Sequence, residues 1–120
     1  GNTDRRLLLT ERGATFGYRD LVVDMRSIPI MGDSRCPVII DATHSVQQPG
    51  AAGQVTGGQP RFIPTIAQCG IVSGARGVFM EVHPDPSQAK SDGYNALKLD
   101  GLKPLLGKLV DLYRWRVEHE

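Results

Sequence analysis

Three short, continuous apolar runs occur along the chain, at residues 7–9, 38–40 and 78–80. Their apolar positions do not alternate with polar ones, and runs of this kind are typical of strands buried on both faces of a parallel sheet. Polar residues and a turn signal follow each run directly. The pattern therefore predicts three parallel strands.

Between and after these runs, apolar residues recur at the three- and four-residue spacing of an amphipathic helix. The three sets are Leu21, Val22, Met25, Ile28 and Ile30, interrupted by Pro29; Phe62, Ile63, Ile66, Ile71 and Val72; and Leu102, Leu105, Leu106, Leu109, Leu112, Tyr113 and Val117. Pro104 is expected in the first turn of the last helix, where its missing N–H costs no hydrogen bond. The alternation of strands and helices predicts an α/β fold with crossover helices, in which the Gly- and Gln-rich stretch at 47–61 is a functional loop.

Composition narrows the class of protein. The chain has the length of one domain, and 14 Lys and Arg against 13 Asp and Glu leave a net charge of +1, which argues against a nucleic-acid partner. No apolar stretch reaches the roughly 18 residues of a membrane span, and the first residues do not resemble a secretory signal. Cys36 and Cys69 make neither a disulfide framework nor a paired-cysteine motif, so we expect a cytoplasmic protein with reduced thiols.

Ionisable side chains follow all three predicted strands. In α/β proteins the carboxyl ends of the strands and the loops after them form the ligand site, so these side chains are the candidates for chemistry. They are Glu11, Arg12, Asp41, His44, Glu81, His83 and Asp85, with Asp92 in the loop before the last helix.

Two kinds of site can be built from this set. His44, Glu81 and Asp92 combine imidazole nitrogen with carboxylate oxygen, which suits a divalent ion such as Zn, Fe or Mn. Arg12, beside Gly13, is suited to bidentate binding of an anion. Taken singly, each of the metal candidates is more simply explained as a strand-end polar group that bonds a loop. Arg12 is equally consistent with a surface or ion-paired arginine. The aromatic residues are interpreted as packing residues: Phe16, Tyr18 and Trp115.

Several motifs around these residues resemble the 3-deoxy-D-manno-octulosonate 8-phosphate synthase family. They are LTERGATFGY at 9–18 with LVVD at 21–24, DATHSVQ at 41–47, the glycine pair at 57–58, FMEVHPDP at 79–86 and SDG at 91–93. The resemblance implies that residues 1–120 form a single partial domain, the C-terminal three βα units of a (β/α)8 TIM barrel. It also implies an enzyme that condenses phosphoenolpyruvate with arabinose 5-phosphate for lipopolysaccharide synthesis. The whole protein is expected to be a homotetramer.

The same resemblance implies roles for individual residues. Arg12 matches the arginine that holds phosphoenolpyruvate near its phosphate, and Gln47 with the loop after it matches the mobile loop over the sugar phosphate. His44, Glu81 and Asp92 match three of the four metal ligands of the metal-dependent branch, whose metal is Zn, Fe, Mn or Co. Arg12 and His44 are therefore the predicted catalytic residues, and both are predicted to contact substrate.

The chain departs from the family pattern in two respects. Its loop arginine, Arg61, lies one position later than in relatives. The fourth metal ligand (a cysteine), the two lysines that hold phosphoenolpyruvate and the Lys-Ala-Asn-Arg-Ser motif for the sugar phosphate are expected in a part of the barrel outside these residues, and neither Cys36 nor Cys69 replaces that ligand. Two alternatives stay open: a sibling enzyme that uses another phosphorylated sugar, and a non-catalytic half-barrel that binds a partner.

Overall fold

The computed structural model describes residues 7–15, 20–49, 57–89 and 95–120. Strands and helices alternate along these residues, with short 3-10 turns at His44–Val46, Pro60–Phe62 and Pro86–Gln88. The elements in chain order are β1 (Leu9–Glu11), β2 (Ala14–Thr15), β3 (Leu21–Val22), α1 (Ser27–Gly32), β4 (Val38–Asp41), β5 (Gln47–Gln48), β6 (Gly57–Gly58), α2 (Ile63–Val72), β7 (Gly77–Phe79), β8 (Val82–His83), β9 (Leu97–Lys98) and α3 (Leu99–His119).

The central sheet is parallel, as the apolar runs predict. Its order is β1-β4-β7, with Thr10 opposite Ile39 and Ile39 opposite Gly77. The middle strand β4 is the most buried, because it has a neighbour on each side and helices packed against it. The outer strands begin one or two residues from the predicted positions, so that Leu7 and Leu8 precede β1 and are exposed.

The first predicted helix is wrong over its first half. Leu21 and Val22 form β3, which pairs antiparallel with β2, and the helix α1 begins only at Ser27. Leu21, Val22 and Val23 at the start of this segment are apolar or β-branched, and such residues favour a strand paired with β2 over a helix. Pro29 lies in the first turn of α1, where no backbone hydrogen bond is lost. The predicted loop at 47–61 contains the antiparallel pair β5–β6, and its residues 50–56 lie outside the described part of the chain.

The last predicted helix is confirmed, with corrections. It begins at Leu99, so Pro104 lies inside the helix rather than in its first turn. Leu105 and Leu109 are buried as expected, whereas Leu106 and Val117 are nearly half exposed. The charged residue Arg116 occupies the buried stripe instead, because its guanidinium meets backbone carbonyls at the end of α2. These carbonyls belong to Ile71 and Ala75.

The aromatic packing prediction is wrong at Trp115. Its side chain is 54% exposed and stacks on the His119 ring at 4.8 Å. The other two aromatic residues, Phe16 and Tyr18, lie outside the described residues. A helix exposes one face to its surroundings whenever its partners cover only the other, and Trp115 lies on that uncovered face of α3.

The core joins the sheet to the helices in two clusters. One lies between α2 and α3 around Ala42, and the other packs α1 against β4. The edge strand β7 is less covered than β4, since Phe79 remains 46% exposed. A barrel closes with more strands than these three, so part of one face of this sheet has no covering strand or helix among the described residues. Among the described residues, no helix is long and apolar enough to cross a bilayer.

Candidate active site at the carboxyl ends of the strands

The carboxyl ends of β1, β4 and β7 lie along one edge of the sheet. Glu11 is opposite Ile40, and Asp41 is opposite Phe79. Because the three strands are parallel and in this register, the turns that follow them emerge side by side. The structure thus brings together candidates that are separated by up to about seventy residues along the chain.

Asp41 and His44 are joined by hydrogen bonds at this edge. One carboxylate oxygen of Asp41 accepts hydrogen bonds from the backbone N–H groups of Thr43 (3.1 Å) and His44 (2.8 Å). The other oxygen lies 2.8 Å from Nδ1 of the His44 ring. Asp41 is 5% exposed. A buried carboxylate that holds both the turn and the ring fixes the orientation and the tautomer of the imidazole.

His44 and Glu81 face each other across the strand ends. Nε2 of His44 lies 3.3 Å from Oε1 of Glu81. With Nδ1–H directed at Asp41, Nε2 carries the ring's lone pair, so the contact with a carboxylate oxygen is favourable when a proton or a metal cation lies between them.

The donor set of this pair fits a divalent cation. An imidazole nitrogen held from behind by a carboxylate, next to a carboxylate oxygen, is an arrangement that transition metals use. The third predicted ligand, Asp92, lies outside the described residues, and within those residues no group of three or more His, Cys, Asp or Glu side chains converges. Two of the three predicted ligands, His44 and Glu81, are therefore brought together.

Arg12 and Gln47 also meet, although they belong to different strand exits. The guanidinium Nη2 of Arg12 lies 3.4 Å from Oε1 of Gln47, which is 8% exposed. Arg12 itself is exposed and precedes Gly13, whose φ of +87° is the left-handed conformation that favours glycine. The exposed guanidinium of Arg12 thus lies beside the buried side-chain amide of Gln47.

Glu11 fixes the turn that carries Arg12. One of its carboxylate oxygens accepts a hydrogen bond from the Gly13 N–H at 2.6 Å, and the other accepts from the hydroxyl of Ser27 at the start of α1. Hydrogen bonds to a charged acceptor are stronger than those between neutral groups. The side chain of Glu11 is consequently used to shape the turn.

His83 and Asp85 hold a local turn. Nδ1 of His83 accepts from the Asp85 N–H, and Asp85 accepts from the hydroxyl of Ser87 at 2.6 Å and from its N–H at 3.1 Å. These bonds from Ser87, the hydroxyl first, lower the pKa of the exposed Asp85 carboxyl. Asp85 caps the 3-10 turn Pro86–Gln88, and among the described residues no side-chain hydrogen bond or ion pair joins His83 or Asp85 to His44 or Glu81.

Three further residues shape the site and were missed by the sequence analysis. The hydroxyl of Thr43 accepts a hydrogen bond from the Glu81 N–H, and Asn95 donates to the Thr43 carbonyl. The ring of Phe79 stacks on His44 with centroids 5.7 Å apart. The position of Thr43, between the two predicted site residues Asp41 and His44, could have identified it from the sequence. Asn95 is 52 residues away from Thr43, and no local pattern indicates their contact.

Comparison with known proteins gives a consistent picture. The model of the DAHP synthetase I family matches residues 1–115. A 2-dehydro-3-deoxyphosphooctonate aldolase of Syntrophobacter fumaroxidans is 52% identical over 114 residues, which are 95% of this chain and 40% of the relative. An enzyme of the same name from Methylobacillus flagellatus is 56% identical over 108 residues, 90% of this chain and 39% of the relative. The chain therefore spans about two fifths of the length of the curated relatives it matches.

A solved structure confirms the fold. The phospho-2-dehydro-3-deoxyheptonate aldolase (DAHP synthase) of Thermotoga maritima superimposes with a TM-score of 0.73 and 30% identity. The match covers 88% of this chain and 28% of that one. Together with the parallel strands and their helices, this shows that the described residues form a partial α/β barrel, as the sequence predicts.

Proposed function

This chain belongs to the DAHP synthetase I family, and from that premise we propose that it supplies part of the active site of 3-deoxy-D-manno-octulosonate 8-phosphate synthase. The reaction is the condensation of phosphoenolpyruvate with D-arabinose 5-phosphate. The observation that carries the proposal is the meeting of Arg12 with Gln47 and of His44 with Glu81 on one edge of the parallel sheet. This edge is where α/β barrels hold their substrates.

The names of the relatives support the choice of sugar. The two curated relatives are named for an octonate product, whereas the solved structure is named for a heptonate. Phosphoenolpyruvate contributes three carbons, so an octonate requires a five-carbon sugar phosphate and a heptonate a four-carbon one. The higher identity to the octonate enzymes, 52–56% against 30%, favours arabinose 5-phosphate.

In the proposed reaction, C3 of phosphoenolpyruvate attacks the aldehyde carbon of the sugar and forms the new C–C bond. Water adds at C2, and the C2–O bond to phosphate then breaks. Arg12, a permanent cation, binds phosphoenolpyruvate near its phosphate and neutralises the charge on the departing group. Gln47 orients the guanidinium of Arg12 and lies at the start of the loop over the sugar phosphate.

We propose that His44, Glu81 and Asp92 hold a divalent metal, either Zn, Fe, Mn or Co. When bound, such an ion orients the aldehyde and the water and polarises the carbonyl. Asp41 keeps the His44 ring in the tautomer whose Nε2 is free to ligate, and the stacked Phe79 ring limits rotation of the imidazole.

Two alternatives are weaker. A sibling enzyme with a different sugar phosphate would keep Arg12 and the His44–Glu81 pair, and would differ in the sugar-binding residues. A half-barrel that only binds a partner would not require Nε2 of His44 to face Glu81. Substrates that are phosphorylated metabolites support a cytoplasmic location. We expect the whole protein to be a homotetramer with no nucleic-acid or membrane partner.

The test uses the complete protein that contains this chain. Purified protein is mixed with phosphoenolpyruvate and either arabinose 5-phosphate or a four-carbon aldose phosphate, and phosphate release and product mass are measured. We expect turnover with arabinose 5-phosphate and much less with the shorter sugar. The reverse preference would establish the sibling enzyme. If neither mixture releases phosphate, the protein is not this kind of enzyme, and the result favours the half-barrel that binds a partner.

A further inference from the structure

Thr43 is the point at which three parts of the site are joined. It is fully buried, and each of its polar groups is bonded to a different residue. Its N–H donates to Asp41, its carbonyl accepts from Asn95, and its hydroxyl oxygen accepts from the Glu81 N–H at 2.8 Å. Since His44 follows Thr43 directly in the chain, a single residue connects both members of the His44–Glu81 pair.

Asn95 holds this connection from the opposite side. Its side chain is 1% exposed, and its amide nitrogen donates to the Thr43 carbonyl. Two residues later, the N–H of Leu97 donates to the Glu81 carbonyl at 2.9 Å. The Glu81 backbone is therefore held at its N–H by Thr43 and at its carbonyl by the segment that begins with Asn95.

Strand β6 passes close to the Asn95 side chain. A Cβ on Gly58 would lie 2.2 Å from Oδ1 of Asn95 and 2.6 Å from its Cγ. Contacts below about 3 Å force atoms to move, so the strand β6 approaches Asn95 as closely as a glycine allows. A side chain at position 58 would therefore displace the Asn95 side chain, whose amide nitrogen donates to Thr43.

From these contacts we propose that Thr43 and Asn95 are positioning residues that set the separation between Nε2 of His44 and Oε1 of Glu81. The inference rests on the proposed function, in which both atoms face the reacting groups. Without the Thr43 hydroxyl, the Glu81 N–H has no partner and the Glu81 side chain moves relative to His44. A displacement of about 1 Å in such a site lowers turnover by as much as about a hundredfold.

The test compares Thr43→Val, Thr43→Ser and Ser45→Ala in the complete protein. Valine keeps the shape of threonine and removes the hydroxyl, whereas serine keeps the hydroxyl. Ser45→Ala is the matched control, because Ser45 is buried in the same turn and its hydroxyl has no partner among the described residues. We expect Thr43→Val to lower kcat at least about tenfold with KM for phosphoenolpyruvate within about twofold, and Thr43→Ser and Ser45→Ala to retain wild-type turnover.

Several outcomes would overturn the proposal. Wild-type kcat in Thr43→Val would do so, and so would an equal loss in Ser45→Ala or a loss that Thr43→Ser does not rescue. If Thr43→Val does not fold, Asn95→Ala takes its place with the same expected split between kcat and KM.

A second readout separates this inference from the proposed function. Crystal structures of the wild-type and Thr43→Val proteins measure the His44–Glu81 separation directly, without any assay. We expect a longer separation in the variant. If the wild type has no condensing activity, the proposed function fails while the positioning proposal is still decided by this distance, and an unchanged separation would overturn it.

Discussion

A Cβ on Gly70 would lie 2.6 Å from Cγ2 of Ile40. Gly70 belongs to α2 and Ile40 to the middle strand of the sheet, and both are buried. The helix axis therefore lies as close to the sheet as a residue without a side chain permits. This contact sets the depth at which α2 packs, and with it the position of the turns at the strand ends.

Gly70→Ala is expected to destabilise the protein, because the added methyl group must displace Ile40 in a filled core. Overpacking of this kind costs about 1–3 kcal/mol. Gly107→Ala is the matched control on another helix, since a Cβ there meets nothing within 4 Å. It should raise the free energy of unfolding by about 0.5–1 kcal/mol, through helix propensity. Chemical denaturation measures both, and equal effects of the two substitutions would contradict the packing argument.

Arg116→Met is expected to loosen α3 from α2. The guanidinium donates to the carbonyls of Ile71 and Ala75, at the end of α2, and the side chain is 6% exposed. Removal leaves the Ala75 carbonyl without its Arg116 donor, which costs about 1–3 kcal/mol, whereas the Ile71 carbonyl keeps the Gly74 N–H at 3.2 Å. Arg114→Met, two residues earlier at an exposed position, is the control and should change stability by less than about 0.5 kcal/mol. Thermal unfolding measures both variants, and equal unfolding temperatures would refute the role given to Arg116.

Arg12 and His44 should give different phenotypes in the complete protein. Arg12→Ala should lower turnover and raise KM for phosphoenolpyruvate with metal content unchanged, because a guanidinium does not ligate metals. His44→Ala and Asp92→Ala should lower metal content and turnover together. Steady-state kinetics and elemental analysis of the same preparations provide the comparison. An Arg12→Ala protein that lost its metal as completely as His44→Ala would show that these roles are assigned wrongly.

Metal removal should abolish the activity of the complete protein. Exhaustive treatment with a strong chelator is expected to stop turnover, and addition of Mn, Fe, Co or Zn to restore it, because His44 and Glu81 form a donor pair that suits these ions. Elemental analysis confirms that the metal has been removed. Full activity of metal-free protein would place the enzyme in the metal-independent branch, with His44 and Asp92 as hydrogen-bonding residues around the substrates.

The 120-residue chain alone should show no condensing activity. The predicted lysines for phosphoenolpyruvate and the sugar-phosphate motif are not among its residues, and positioning of the two substrates provides much of the rate enhancement in such reactions. The assay is phosphate release by purified chain at high concentration, beside the complete protein as a positive control. Product formed by the chain in the absence of complete enzyme would show that the remaining residues suffice.

Much of the architecture follows from local sequence. Continuous apolar runs predicted the parallel strands β1, β4 and β7, since only a strand covered on both faces tolerates such a run. The three- and four-residue spacing predicted α2 and α3. It failed at Leu21 and Val22, where pairing with Ala14 and Thr15 outweighs the helical spacing.

The candidate site was predictable in part for the same reason. Parallel strands all end on one edge, so polar residues after Glu11, Asp41 and Phe79 had to emerge together. That argument puts His44 and Glu81 in one set with His83 and Asp85, and the structure shows which members of the set meet. Their roles came from the resemblance of the motifs to a known family, because spacing along the chain does not specify a ligand.

Local sequence patterns indicated the three parallel strands, two of the three helices and the polar residues that follow the strands, because periodicity and turn chemistry act over a few neighbouring residues. Only the tertiary structure decided that Asn95 bonds Thr43, that Arg116 is buried against α2, and that Gly58 and Gly70 mark close approaches. These relationships join residues 30 to 52 positions apart, and they depend on volumes and backbone groups that meet only after the elements have packed.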